Sequence, residues 1–297
     1  MFCGKKDRWF MRNQTPSVHP TAIVEAGAEI GRDVTIEPYA VVKEGVVLGD
    51  CVTVRSHAYI DGLTTIGENT VVYPGAVIGT KTQDRKFRGE ETFVRIGKSC
   101  EIRECVTINS SSTEGSTVSV GDHCLIMAYC HVAHDCTVGN NVIMANGATL
   151  AGHVTVGSYA VIGGKTAVHQ FTRIGEYAMV GAMSRAFHDM PPYMLGGGDP
   201  YRLGGINVVG LKRHGFSLKT RQYLFQAFRL LYRSRLHVAE ALVRIEEEVG
   251  EDPEVKKLLA FCRSSKRGLI GLTQEKKCDA EEEATCPDPD SGVRASP

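Results

Sequence analysis

From Val18 the chain reads VHPTAI, VEAGAE, IGRDVT, IEPYAV, VKEGVV, LGDCVT, VRSHAY, IDGLTT, IGENTV and VYPGAV, ending at Val77. The first place of successive sixes holds Val18, Val24, Ile30, Ile36, Val42, Leu48, Val54, Ile60, Ile66 and Val72, and Ile78 continues the series. The fifth place holds Ala22, Ala28, Val34, Ala40, Val46, Val52, Ala58, Thr64, Thr70 and Ala76, and the second place is often Gly. A bulky aliphatic at every sixth position fits neither the 3.6 period of a helix nor the alternation of an ordinary strand. It fits a short strand plus a turn. Three such hexads close one triangular coil, with the first-place aliphatic inside and the small fifth-place residue in the tight inner corner. Coils stacked at the ~4.8 Å spacing of strand pairing make parallel ladders without crossover helices, which is the parallel β-helix.

The register breaks at Thr80–Phe93 (TKTQDRKFRGEETF), resumes at Ile96 and Ile102, and breaks again over the Ser- and Thr-rich Asn109–Thr117. It returns at Val120 and runs through Ile126, Val132, Val138, Met144, Leu150, Val156, Ile162, Val168, Ile174 and Val180. Loops expelled from a solenoid hang outside it and can reach a neighbour. In the first loop Asp84 can accept hydrogen bonds from sugar hydroxyls and Lys86 can meet a phosphate. After Pro191-Pro192 the pattern changes. GGGDPYRLGGINVVG reads as a glycine-rich connection, and Ser217 is placed to cap a helix over LKTRQYLFQAFRLLYRS. LHVAEALVRIEEEV reads as a second helix, and Asp252-Pro253 as the N-cap and first position of a third. The expected organisation is an N-terminal extension over 1–16, a β-helix over 17–195, a connection and C-terminal helical domain over 196–271, and an acidic disordered tail over 272–297.

Across 297 residues, Lys+Arg and Asp+Glu are both 34. The balance argues against a general nucleic-acid binder. No apolar run reaches the ~18 residues of a spanning helix, and MFCGKKDRWFMRNQTPS has no signal-peptide core, so a cytoplasmic address is expected. Of the ten cysteines, Cys124, Cys130 and Cys136 fall six apart, which is not a zinc-ligand spacing; they read as small buried thiols. Between Gly210 and Leu236 lie seven Lys/Arg and no acid, a basic face suited to an acidic carrier protein or a diphosphate.

A coil of three hexads places residues in space. His134, Gly152 and Gln170 form one column, with His153 and His169 each one position beside it and His131 three residues before His134, across a turn. In HVAHDC, His134 is a proton acceptor suited to a hydroxyl, and Asp135 can orient it if a turn brings the two together. Clustered histidines also suit a metal, but no Cys or carboxylate ligand pattern surrounds these. No G-x-S-x-G elbow or P-loop occurs.

The motifs SVHPTAIVE, QDRKFRGE, HVAHDCTVGN, TLAGHVTVG, IGGKTAVHQF, DMPPYM, GGINVVGLKRHGF and SKRGLI together resemble the UDP-N-acetylglucosamine acyltransferases of lipid A biosynthesis, over roughly Val18–Ile270. The resemblance implies a mainly β, left-handed parallel β-helix with a small C-terminal α-helical domain, assembled as a homotrimer with active sites between subunits. It implies transfer of a (3-hydroxy)fatty acyl group from acyl carrier protein to the 3-hydroxyl of UDP-N-acetylglucosamine, without cofactor or metal. His134 matches the general base with Asp135 beside it, and Gly152 the backbone N–H that stabilises the oxyanion. Asp84, Lys86, His131, His153, His169 and Gln170 match substrate contacts, Asn207 and Arg213 nucleotide contacts, and Ala182 the position that tunes acyl length. Where the family reads N-x-E-G-L-K-R-R, this chain has Val209 for the acid and His214 for the second Arg. The competing readings are the N-acyltransferase of the same pathway, an acetyl-CoA-dependent acetyltransferase, and a non-acylating zinc-binding hexapeptide protein.

Overall fold

A computed structural model describes residues 15–272. The extension read at 1–16, apart from Thr15 and Pro16, and the tail read at 272–297, apart from Leu272, lie outside the described residues.

The hexads are short strands, most of them only a residue pair, each followed by a turn, and they wind through three sheets of 11, 9 and 8 strands. Pairing within the coil is parallel. Val18 pairs with Ile36, Ile36 with Val54, and Val54 with Val72, each three hexads further on. Val72 then pairs with Ile102 and Ile102 with Ile126, at longer offsets. The two register breaks are therefore loops that leave the coil and return to the same ladders, with one shift of register between Ile78 and Thr80 where the first begins. Ile126, Met144, Ile162 and Val180 resume the three-hexad step. The parallel β-helix is the one the hexads imply, and the fold as a whole is the mainly β, left-handed β-helix with a small helical part that the family resemblance implies.

First-place side chains form the core: Ile36, Ile60, Ile78, Ile102, Ile126, Met144, Leu150 and Ile162 are among its largest fully buried members. Fifth-place residues lie inside as well, and Cys100, Cys124, Cys130 and Cys136 occupy that place. The Cys130 and Cys136 thiols donate to the Ala145 and Ala151 carbonyls, each at 3.1 Å. Burial pushes the Cys136 thiol up to about 12 and Cys130 to about 11, so both are inert, as small interior thiols should be.

One detail of the corner differs from the reading above. The sharp reversal falls at the fourth place, not the fifth. Asp33, Tyr39, Cys51, His57, Asn69, His123, Tyr129, Asp135, Asn141, His153, Tyr159 and Phe171 all have φ between 55° and 63°. Such a conformation costs a non-glycine residue on the order of 1–3 kcal/mol. Here the closed coil imposes it, because each strand must turn into the next sheet within a single hexad. The second-place glycines have another cause. A Cβ on Gly121 would lie 2.7 Å from the carbonyl carbon of Gly139 in the next coil, so at that corner backbone stacks directly on backbone.

The stretch read as a glycine-rich connection is structured. Met194–Gly197 and Arg202–Ile206 form an antiparallel hairpin at the end of the largest sheet, followed by α1 (Val208–Arg213). Three further helices follow: α2 (Leu218–Phe228), continued by a π turn over Arg229–Arg233, α3 (Val238–Val249) and α4 (Pro253–Arg263). The caps are those the sequence suggests. Ser217 Oγ accepts from the Thr220 N–H at 3.0 Å, and Asp252 Oδ1 from the Glu254 N–H at 2.9 Å.

Asp189 fastens this helical part to the coil. Its buried carboxylate accepts from the Arg173 N–H at 2.8 Å, from Arg173 Nε at 3.0 Å and from Ser265 Oγ at 2.8 Å, while Arg173 Nη2 reaches the Phe261 carbonyl at 3.1 Å. Losing one partner strands the other's charge and amide without a match. Asp189→Ala should therefore lower unfolding free energy by about 3–5 kcal/mol in urea titrations, and early release of the C-terminal helices should be visible by hydrogen exchange.

Candidate active site

The turn after strand His131–Val132 carries the site. Asp135 occupies the fourth place with φ 57°, which folds its carboxylate back beside its neighbour instead of to the opposite face. His134 Nδ1 lies 2.8 Å from Asp135 Oδ2. The sequence left that contact open, because adjacent strand residues diverge; the left-handed turn is what closes it.

The next coil places Gly152 against the imidazole. A Cβ built on Gly152 would sit 2.3 Å from His134 Cε1 and 2.4 Å from Nε2, so only glycine leaves room for the ring. Third-place amides point out of the ladder. On several other coils a neighbouring side chain satisfies them, as Asp50 does for Arg32 at 2.9 Å and Asn140 for Asp122 at 2.8 Å. Among the described residues the Gly152 N–H has no such acceptor. A free, fixed amide beside the Nε2 edge of a histidine is an anion-stabilising donor next to a proton acceptor.

His153 stands edge-on to His134, with ring centroids 5.0 Å apart at 88°, and its Nε2 is 3.8 Å from Asp135 Oδ2. Phe171, one coil further on, stacks on His153 at 4.5 Å and fixes its plane. His131 Nδ1 is 2.7 Å from Thr107 Oγ1. Burial, and then the neighbouring His134, hold His131 below the ordinary histidine range. His169 Nδ1 meets the Gln170 carbonyl at 3.1 Å, and its ring lies 5.3 Å from Phe187.

The second loop, read only as a register break, supplies partners to the site. Ser111 Oγ donates to Asp135 Oδ1 at 2.7 Å and Ser112 Oγ to Oδ2 at 2.6 Å, while the Asp135 N–H donates to Ser111 Oγ at 3.2 Å. Burial alone would raise the Asp135 carboxyl. The hydroxyls of Ser112 and Ser111 and the His134 contact outweigh it and hold the carboxyl well below the usual range. Asp135 thus stays ionised throughout mild acid, and its stabilisation is lost only as pH falls through that lowered value. No sequence signal pointed to Ser111 or Ser112, because the loop lies outside the hexad period; Thr107 meets His131 at an offset of 24 residues that the loop creates, whereas Phe171, 18 residues after His153, could have been found from the period.

Donor atoms of His134, Asp135 and His153 all lie within 4.8 Å of one another, a spacing a divalent cation could bridge. Asp135 Oδ2 is already committed to His134 Nδ1 and Ser112, so a cation would have to displace the pair that defines the site. The donor set fits a hydrogen-bonded dyad better than a metal centre.

The remaining candidates lie elsewhere. In the first loop, Asp84 Oδ1 accepts from the Lys86 N–H at 2.8 Å, which shapes the loop tip and leaves the Lys86 side chain exposed. Ala182 is at the turn after strand Met179–Val180 of the largest sheet, a different corner of the triangle from His134. Asn207 and Arg213 belong to a third corner. Asn207 caps α1, accepting from the Gly210 N–H at 3.0 Å and donating to the Tyr177 carbonyl at 2.9 Å. Beside it, His214 packs edge-on to Tyr159 and Tyr177, with centroids 4.9 and 5.4 Å away. One chain therefore unites His131, His134, Asp135, Gly152 and His153 at one corner, with Gln170 next in the column, and holds Asn207, Arg213 and Ala182 apart from them.

Repeats, coil and site define a hexapeptide-repeat transferase. The family model "Bacterial transferase hexapeptide (six repeats)" matches residues 17–62 and 117–152, and "Udp N-acetylglucosamine O-acyltransferase; Domain 2" matches 189–270. The acyl-[acyl-carrier-protein]–UDP-N-acetylglucosamine O-acyltransferases of Chlamydia abortus and Chlamydia trachomatis serovar D are 55% and 61% identical to this chain, each over 254 residues, 85% of it and 91% of theirs. The crystal structure of a UDP-N-acetylglucosamine acyltransferase from Bacteroides fragilis superposes with TM-score 0.83 at 38% identity, covering 85% of this chain and 99% of its own. The chain belongs to the acyl-[acyl-carrier-protein]–UDP-N-acetylglucosamine O-acyltransferase family and is an enzyme of that class.

Gly152→Ala tests the geometry directly. The added methyl must push the His134 ring away, so kcat should fall about 10- to 100-fold with little change in melting temperature. A crystal structure of the variant should show the His134–Asp135 contact lengthened.

Proposed function

We propose that the chain transfers a fatty acyl group from an acyl carrier protein thioester to the 3-hydroxyl of UDP-N-acetylglucosamine, the first step of lipid A biosynthesis, with His134 as general base. The observation that carries this reading is the pairing of His134 Nδ1 with Asp135 at 2.8 Å, while the opposite edge of the ring faces Gly152. An ionised Asp135 has no proton to give, so the hydrogen of that contact belongs to Nδ1 and the lone pair to Nε2.

Nε2 takes the proton of the 3-hydroxyl as its oxygen attacks the thioester carbonyl, and Asp135 stabilises the imidazolium that forms. The carbonyl oxygen becomes an oxyanion and receives the Gly152 N–H. The C–S bond then breaks, and the leaving sulfur takes the proton back from Nε2. A thioester is already activated, so no nucleophilic side chain is required.

His131, His153, His169 and Gln170 line the approach to this centre and orient the sugar and the pantetheine-bearing donor. Asp84 and Lys86 of the first loop contact the sugar hydroxyls and a phosphate. Asn207 keeps one amide hydrogen and one lone pair beyond its capping bonds, and with Arg213 it contacts the nucleotide. These two sit at a different corner from His134, which favours a homotrimer whose sites are completed across the subunit boundary. Ala182 limits the acyl chain from the third corner. The seven basic residues between Gly210 and Leu236 make no ion pair among the described residues, which leaves them available to an acidic carrier protein. No described helix is long and apolar enough to cross a membrane, and we expect the protein to act in the cytoplasm.

Incubation with UDP-N-acetylglucosamine and a panel of acyl carrier thioesters, read by mass spectrometry, should give a 3-O-acylated nucleotide sugar. His134→Ala should lower kcat by about 10²–10⁴, with the trimer mass by light scattering and the melting temperature unchanged. Dissociation of the trimer in step with activity would make His134 structural. Stoichiometric bound zinc with no acylated product would favour the non-acylating reading.

A further inference from the structure

We propose that Ser111 and Ser112, in the second loop, are positioning residues that fix the tautomer of His134 through Asp135. The inference deepens the acyl-transfer reading and rests on it. Its geometry is a connected set of bonds. A carboxylate offers two oxygens and no proton. Ser111 donates to Oδ1 and Ser112 to Oδ2, at 2.7 and 2.6 Å, and the Asp135 backbone N–H returns to Ser111 Oγ at 3.2 Å. Two hydroxyls aimed at the carboxylate hold it in the acceptor-only state. The third contact, from His134 Nδ1 at 2.8 Å, must then carry its hydrogen on nitrogen. Nε2 is left unprotonated, facing Gly152.

The loop is itself anchored. The Ser110 N–H donates to the Thr80 carbonyl at 2.8 Å, and Asn109 Nδ2 reaches Thr80 Oγ1 at 3.2 Å. The two serines are thus held by the coil below and do not depend on substrate for their aim. The other titratable groups facing the pair are His153, whose Nε2 is 3.8 Å from Asp135, His131 on the preceding strand, and the inward Cys136 thiol. None of these donates to Oδ1.

The hydroxyls also hold the carboxylate against the His134 ring. Without them it is free to turn away, so the His134 imidazolium loses its partner and the neutral ring is favoured. The acid limb of the kcat/KM profile should therefore move to lower pH in Ser111→Ala/Ser112→Ala. At the wild-type optimum kcat should fall about 10- to 100-fold, the scale on which partners of a catalytic ligand act, with KM for the nucleotide sugar little changed. Ser112→Thr keeps a hydroxyl and should restore most of the loss.

Nitrogen-15 NMR of the imidazoles in the full-length protein, without substrate, reads the tautomer independently of turnover. Wild type should show His134 with hydrogen on Nδ1, and the double variant a mixture of tautomers. An unmoved acid limb, or a single Nδ1–H tautomer in a folded double variant, would overturn the proposal. If the double variant fails to fold, Ser112→Ala and Ser112→Thr provide the same comparison singly. A wild-type protein with the expected tautomer but no acyl transfer would reject the acyl-transfer reading while leaving the tautomer assignment in place.

Discussion

Three hexads per turn is the dimension to which every other feature of the molecule is tied. Parallel pairing at that pitch sets each first-place aliphatic on the one below and makes a continuous apolar column. The same pitch brings backbone against backbone at the Gly97–Gly121–Gly139 corner, where a side chain would collide. It also forces the left-handed residue in nearly every turn. Two loops escape the pitch, and the ladder closes beneath them: Ile78 pairs with Ile108 past the first loop, with a register shift before Thr80, and Ile108 with Val132 past the second.

The site is a consequence of that corner geometry. A fourth-place residue in the left-handed conformation lies beside the third-place residue, not opposite it. Asp135 can therefore bond to His134, and His153 can stand against the same pair. Third-place amides are excluded from the ladder by the turn. Several find a side chain on an adjacent coil, and others, Gly152 among them, do not. A scaffold that is rigid for reasons of packing thus sets a preorganised amide donor beside a histidine–carboxylate pair. The second loop adds the missing part, two hydroxyls that keep the carboxylate ionised in a half-buried place.

The three corners of the coil differ in chemistry, which is why the proposed reaction draws on more than one copy of the chain. His134 and the free Gly152 amide share one corner, Asn207 and Arg213 sit near a second, and Ala182 near a third. The basic helical surface is set on the end of the coil through Asp189 and Arg173, and a second bridge joins Tyr193 to Glu176 and Glu254 at 2.5 and 2.6 Å. A triangular prism with different chemistry at each edge is suited to sites formed where edges of neighbouring copies meet.

The fold was legible because a period of six is a local rule repeated more than twenty times, so each hexad states it again. The caps at Ser217 and Asp252 were legible for the same reason, since a cap is decided within one helical turn. The column of His134, Gly152 and Gln170 followed from the period by arithmetic alone. What the sequence could not supply were contacts made outside the period: Ser111 and Ser112 on Asp135, Thr107 on His131, and the hairpin over 194–206 where a glycine-rich stretch suggested mere connection. Nor could it decide between the two faces available to Asp135, because that depends on one dihedral angle, and the dihedral is set by closure of the coil and not by the residue's own preference. The sequence by itself determined the spiral and which residues share an edge; the tertiary structure decided which of them touch, because turn geometry and loop return are properties of the closed coil as a whole.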